Sequence, residues 1–295
     1  SAILDATRGT IYIKSLSHND PEIKQMRAEV TENLRAVADG SAPEIKWRRY
    51  KLTKKDFFIA PLSVAAYYGS DELGKKKDHN LTINQIAKLD RTDINHFDRN
   101  ATYHWNRAMD KTSNVLYKTL PYLPAIVVIP ELAKKEWNNG LTLGVMYLEV
   151  FWLTTGVTDI TKSLTGRIRP YLYNTSFTPE QRFRFQNTEA PTASTSFISG
   201  HSSRTFAFAV FTSKTFTDIY GKGTLSTIVW ATSLSAASLT AYSRVAAGEH
   251  FPTDVLAGAI VGSAIGYFIP VLHKNTPYNL SVSVMPGYFN VSYRF

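Results

Sequence analysis

From residue 56 onward, apolar residues recur at helical spacing in blocks of helical length. These are Phe57 to Tyr68, Thr82 to Leu89, Thr102 to Leu120, Pro124 to Ala133, Leu141 to Thr165, Ser202 to Tyr220, Leu225 to Tyr242 and Asp254 to Leu272. Their period and length predict helices rather than strands. Pro121 and Pro124, Asn138-Asn139-Gly140, Gly221-Lys222-Gly223 and Pro270 punctuate them where helix breaks are expected. Tyr171 to Thr195 is a long polar connection, and such loops in a folded domain usually carry function. Leu280 to Phe295 alternates apolar and polar residues around Pro286-Gly287, the pattern of a β-hairpin. The first 55 residues are polar and charged, with a helical stretch around Pro21 to Val37. The expected fold is mainly α: one domain over 1–295, with an N-terminal arm (1–55), a helical core (56–272) and a short C-terminal β-hairpin (280–295).

Two blocks approach the length needed to cross a bilayer. Val255 to Leu272 runs 18 residues without a charge, and Leu141 to Val157 runs 17 interrupted only by Glu149. Other helical blocks are poorer: Arg204 to Tyr220 contains Lys214 and Asp218, and Leu225 to Tyr242 is rich in Ser and Thr. Charges inside a spanning helix are costly. The sequence therefore favours helices buried in a soluble protein over a polytopic membrane protein.

Composition narrows the class. Hydrophobic residues make up 44% of the 295 and aromatics 13%, which excludes a disordered chain. With no cysteine there is neither a disulfide framework nor a thiolate metal site. The formal charge of +9 points to an anionic partner. Nucleic acid is discounted because the basic residues are scattered; the dense runs, Lys46 to Lys55 and Lys75 to Lys77, read as solvated surface. No signal-peptide pattern is present at Ser1-Ala2-Ile3, so an exported protein is expected in a form without its leader.

Three short strings carry the candidate chemistry. In Lys162-Ser-Leu-Thr-Gly-Arg-Ile-Arg169-Pro170, Lys162 and Arg169 stand seven residues apart, two helical turns, on nearly one face. Arg167, between them, is expected to point elsewhere. An ammonium and a guanidinium fork so placed can grip separate oxygens of a phosphate. Ser199-Gly200-His201 opens a helical block. Unpaired backbone N–H groups and the positive dipole end there suit an oxyanion, with the Ser199 hydroxyl as a further donor or a simple cap. In the third string Arg244 is followed by His250 and Asp254 at i, i+4. Asp254 could accept from one ring nitrogen of His250 and leave the other as a nucleophile. Asp90, Asp93, His96, Asp98 and His104 could suggest a metal cluster, but the interleaved Arg91, Arg99 and Arg107 favour an ion-paired surface or pocket wall. His18, His79 and His273 have no evident partners in the sequence.

Together the strings resemble the three signatures of the type 2 phosphatidic acid phosphatase superfamily, shared with class A acid phosphatases, glucose-6-phosphatase and vanadium haloperoxidases. That pattern is Lys-x6-Arg-Pro, Pro-Ser-Gly-His and Ser-Arg-x5-His-x3-Asp; the chain matches the first and third and has Ile198 where the second has Pro. The resemblance spans about Leu141 to Leu272. It implies a helical bundle of the acid phosphatase/haloperoxidase type. It further implies His250 as the nucleophile forming a phosphohistidine, Asp254 as its partner, and His201 as the general acid and later base. Lys162, Arg169, Ser199, Gly200 and Arg244 become phosphate ligands. No metal or other cofactor is implied.

The expected function is a metal-independent phosphatase of phosphate monoesters, with lipid phosphates or pyrophosphates among its substrates and peripheral contact with a membrane. The expected location is a bacterial periplasm or envelope. Two alternatives stand: a vanadate-dependent haloperoxidase, and a non-catalytic envelope protein that binds phosphate. Vanadate is expected to bind in either case as a phosphate mimic, and to serve as a cofactor only in the first.

Overall fold

The computed structural model describes residues 2–5, 10–13, 50–52, 56–75, 80–188, 193–274, 280–285 and 288–294. The helix expected around Pro21 to Val37 lies outside them. Contacts divide the chain into two compact units, Tyr50–Lys274 and a second made of Ser1–Arg49 with Asn275–Phe295.

The larger unit is helical: α1 (Asp56–Lys75), α2 (Ile83–Ala87), α3 (His96–Arg99), α4 (Arg107–Thr119), α5 (Ala125–Ala133), α6 (Trp137–Thr165), α7 (Pro179–Thr188), α8 (Gly200–Tyr220), α9 (Thr224–Ala246) and α10 (Pro252–His273). Local signals set many of the ends. Asn106 caps α4 by accepting from the Ala108 and Met109 amides, and Gly166, at φ 61°, stops α6 in the left-handed conformation that glycine adopts without strain. Pro252 occupies the first turn of α10, where its missing N–H costs nothing.

Helix α8 lies at the centre, packed on α10, α9 and α6, while α1 packs along α6. Its Phe208 and Phe211 are buried against Leu143, Met146 and Val150 of α6 and Ile269 of α10. Truncating such a ring to Ala costs about 3–5 kcal/mol. The α8–α10 contact is close because α10 presents Gly258, Gly262 and Gly266. A Cβ at Gly262 would lie 1.9 Å from the Ser203 carbonyl oxygen, and one at Gly266 would lie 2.2 Å from that of Ala207.

In the second unit, strands β1 (Ala2–Asp5), β2 (Thr10–Ile13), β3 (Leu280–Met285) and β4 (Tyr288–Arg294) form an antiparallel sheet in the order β1-β2-β4-β3. Strands β3 and β4 pair antiparallel where the sequence pattern placed a hairpin, and the N-terminal arm, for which no strand was expected, adds β1 and β2. A lone two-stranded hairpin is marginal in water, and here residues 10–13 add the pairing that 288–294 would otherwise lack.

The larger correction concerns the apolar blocks. Arg107–Ala133, Trp137–Tyr173 and Pro252–His273 are each long and apolar enough to cross a membrane, yet only 22%, 50% and 28% of their windows are buried within the protein. Along α10, Leu256, Ile260 and Phe268 are 56%, 63% and 58% exposed. These helices are not wrapped in a soluble core; their apolar faces point outward, as they would toward lipid. The Ser and Thr content of α9 is also less of an obstacle than its sequence suggests. Thr232 and Thr240 donate back to the Ile228 and Ala236 carbonyls, so their hydroxyls are satisfied within the helix.

Candidate active site

The end of α6, the start of α8, the end of α9 and the turn before α10 converge on a cavity of about 200 Å³. Its wall contains Lys162, Arg169, Gly200, His201, Arg244 and His250, together with Tyr117, Thr158, Asp159 and Arg204. Six of the eight site residues expected from sequence are thus brought together. Ser199 and Asp254 lie behind the wall.

Arg169 arrives differently from the expected helix face. Helix α6 ends at Gly166, and Arg169 is extended (φ −73°, ψ 149°), held by its amide donating to the Ala193 carbonyl at 2.9 Å. Lys162 does project from α6, with Nζ 3.5 Å from Asp159 Oδ1. A Cβ on Gly200 would sit 3.1 Å from that ammonium, so glycine keeps the mouth of α8 open to it.

The guanidiniums are aimed by two buried carboxylates that the motif pattern does not specify, Glu249 at an unspecified position of the third string and Asp110 outside all three. Glu249 accepts from Arg169 at 2.9 Å and lies 3.3 Å from Arg244 and 3.1 Å from Arg107. Asp110 of α4 accepts from Arg244 at 2.5 Å, and Ser113 accepts from the same guanidinium nitrogen at 3.2 Å. These partners leave the cationic planes fixed at the cavity edge, the preorganisation that stabilises charge developing in a transition state.

Both imidazoles have a definable tautomer. His250 Nδ1 lies 2.8 Å from the Ser196 carbonyl, which can only accept, so the ring proton sits on Nδ1 and Nε2 keeps its lone pair. Nε2 is 3.5 Å from an Arg169 nitrogen. His201 Nε2 lies 2.8 Å from Asn114 Oδ1, and the Asn114 amide nitrogen donates to Asp110 at 3.1 Å, which fixes the amide orientation. His201 therefore donates from Nε2, and its Nδ1 is the atom able to take up and return a proton. Tyr117 lies against the His201 ring at 4.3 Å between centroids. Burial, reinforced by Arg169, Arg244 and Lys162, holds the His250 pKa well below the ordinary imidazole value. Burial also lowers that of His201, reinforced by Arg244, His250, Lys162 and Arg169. Both rings are therefore neutral at pH 7.

Two sequence-derived contacts take other forms. The Asp254 carboxylate is 3.6 Å from His250 Nδ1, whose hydrogen bond goes to Ser196 instead. Asp254 accepts from the Ser196 hydroxyl at 2.5 Å and the Phe251 amide at 2.8 Å, and it pairs with Arg167. It thus positions His250 through the segment that carries the Ser196 carbonyl. Arg167, set aside in the sequence reading, bridges Asp254 to the buried Asp98 at 2.7 Å. Asp98 in turn accepts from the Thr253 amide at 3.0 Å. One member of the suspected metal cluster is therefore part of the site's frame. The Ser199 hydroxyl accepts from the Ser202 amide as the cap of α8, while its own amide donates to the Asp254 carbonyl at 3.1 Å. Nothing local in the sequence flags Asn114, Asp110 or Tyr117. Only the fold brings α4 to the pocket.

The comparisons agree with the motifs. Residues 143–278 match the PAP2 superfamily. Over 73 residues the chain is 36% identical to a lipid A 4'-phosphatase of Porphyromonas gingivalis, a stretch covering 25% of this chain and 28% of that protein's length. No solved structure matches significantly. The match over residues 143–278 takes in all three motif strings and the ends of α6, α8, α9 and α10 that meet at the cavity, so this part of the chain is similar to the PAP2 superfamily.

Proposed function

We propose that the protein is a membrane-associated phosphatase that removes phosphate from lipid phosphate monoesters through a phosphohistidine on His250. The observation that carries this reading is the single cavity in which Lys162, Arg169 and Arg244 face two neutral imidazoles. The three cations and the α8 amides would take the phosphate oxygens. His250 Nε2 would attack phosphorus as the bond to the ester oxygen breaks. A proton on His201 Nδ1 would pass to that oxygen, releasing the alcohol. Neutral again, His201 would accept a proton from water as its oxygen attacks the phosphohistidine. The P–N electron pair would return to Nε2 and inorganic phosphate would leave.

Transfer of that proton needs His201 protonated in the complex, whereas its lowered pKa keeps the ring neutral at pH 7 until an anion binds. The substrate supplies the difference. A dianion among three cations offsets the repulsion that depresses the imidazole pKa, and so favours proton uptake as the ester binds. Catalytic acid is then present mainly when there is a leaving group to protonate.

The lipid assignment rests on the outward apolar faces of Arg107–Ala133, Trp137–Tyr173 and Pro252–His273 and on the similarity to a lipid A 4'-phosphatase over part of its length. The formal charge of +9 suits an anionic membrane surface, and we place the protein in a bacterial envelope membrane. The test is turnover of a substrate panel in detergent micelles, from p-nitrophenyl phosphate to long-chain lipid phosphates. Lipid phosphates should be preferred, and His250→Ala should abolish release of phosphate from every member. Equal or better turnover of the soluble ester would remove the lipid assignment, and activity in His250→Ala would remove the mechanism.

A further inference from the structure

At the opposite end of α10 from the cavity, three side chains meet that the phosphatase reading does not use. His273 Nε2 lies 2.7 Å from Asp56 Oδ1 and 3.3 Å from Glu149 Oε2. One atom from each residue falls within 4.8 Å of the others. His273 is the last residue of α10, Glu149 sits in the middle of α6, and Asp56 opens α1. Glu149 and Lys162 stand thirteen positions apart on α6, about 20 Å at 1.5 Å per residue, so this cluster is separate from the phosphate cavity.

We propose that Asp56, Glu149 and His273 form a binding site for one divalent first-row cation, with Zn²⁺ the best fit. The Glu149 and His273 side chains are 1% and 0% exposed. Neither Glu149 oxygen nor His273 Nε2 makes a hydrogen bond, and among the described residues no Lys or Arg pairs with Glu149. A buried, unpartnered carboxylate is expensive, and a second carboxylate nearby adds repulsion. A divalent ion would balance two carboxylates and one neutral imidazole to zero charge, which suits a low-dielectric interior.

The histidine is prepared as a ligand. Its Nδ1 lies 2.9 Å from the Ile269 carbonyl, so Nδ1 carries a proton and Nε2 is the ring atom turned to the carboxylates, where a cation would take its lone pair. Backbone orientation of the non-ligating nitrogen is the usual second shell of a metal-bound imidazole. Ligands at about 2.0–2.1 Å in a tetrahedron stand roughly 3.3 Å apart, close to the Glu149 separation, and three protein ligands leave a fourth position for water. One nitrogen and two carboxylate oxygens suit Zn²⁺ better than Mg²⁺, which prefers oxygen and retains its waters. The ion would tie the start of α1 and the end of α10 to α6.

The test uses the full chain in detergent, stripped with a strong chelator, reloaded with Zn²⁺ and desalted. Metal content should return to one zinc per chain, and the unfolding midpoint should rise by several degrees on reloading. Glu149→Gln, which keeps the shape and removes one ligand charge, should weaken zinc binding at least tenfold and abolish the thermal shift. His250→Ala should keep both, so failure of the phosphatase mechanism and failure of this site are separable. Substoichiometric zinc in the reloaded wild type, or undiminished zinc and thermal shift in Glu149→Gln, would overturn the proposal.

Discussion

His250 and His273 stand at the two ends of α10, one just before it and the other its last residue, and both are fully buried. Each has Nδ1 at a backbone carbonyl, that of Ser196 or of Ile269, so each turns Nε2 toward charged side chains. What that nitrogen meets differs in sign. His250 Nε2 faces a guanidinium with Lys162 and Arg244 nearby, whereas His273 Nε2 faces the carboxylates of Asp56 and Glu149. The same ring orientation of the same residue is thereby suited to attack a bound anion at one end and to hold a cation at the other. Side-chain identity and backbone hydrogen bonding set the available atom; the charge of the surroundings sets its use.

Removing the carboxylate that aims the cations should disturb the pocket end most. Glu249→Gln takes away the charge shared by Arg169, Arg244 and Arg107. Breaking such buried pairs costs about 3–5 kcal/mol of stability, and misplaced cations should lower kcat about 10²-fold. Inorganic phosphate should still inhibit with near wild-type affinity, since the positive charge remains. Denaturation and steady-state kinetics check the two effects, and loss of phosphate affinity in step with kcat would mean that Glu249 does more than position.

Between the two ends, the outer and inner faces of α10 test what surrounds it. Ile260→Lys places a charge on a side chain that is 63% exposed. Facing water it should cost under about 0.5 kcal/mol; facing lipid, about 3 kcal/mol. We expect the larger value, read as loss of folded protein from membranes. On the inner face, Gly262→Ala puts a methyl group 1.9 Å from the Ser203 carbonyl. Overpacking there should cost about 1–3 kcal/mol, measured as a lowered unfolding midpoint in detergent.

Acid should produce the smallest effect. The folded pKa values of His201 and His250 are depressed below the ordinary ~6.5 of the unfolded chain. As pH falls through that value the unfolded state binds protons that the fold refuses, and stability declines. Saturating inorganic phosphate should reduce the decline, because a bound dianion raises both pKa values. A pH 5 to 7 series of unfolding midpoints with and without phosphate checks this, and an identical slope in both would contradict it.

Much of the pocket was legible because its residues lie in short strings with fixed spacing. His201, His250, Lys162, Arg169, Arg244 and Gly200 all reach the cavity. The route was less legible: the seven-residue spacing of Lys162 and Arg169 suggested one helix face, but Gly166 ends the helix between them. Spacing alone also put Asp254 on His250, whereas its carboxylate is claimed by Ser196, Arg167 and a backbone amide. Asp110, Asn114 and Glu249 carry no motif, and their roles exist only once α4 and α9 pack together. Helical periodicity located the apolar helices without showing whether protein or lipid covers their faces. His273 had no partner in sequence because Asp56 and Glu149 are distant in the chain and meet only in the bundle.

The central claim is that the His250 lone pair forms a bond to phosphorus. Rapid quenching of the enzyme with a radiolabelled phosphate monoester, followed by peptide mass spectrometry, tests it directly. We predict an acid-labile, base-stable phosphoryl group on His250 that appears within the first turnover and is absent from His250→Ala. Full turnover with no label on His250, or label on another residue at the same rate, would contradict it.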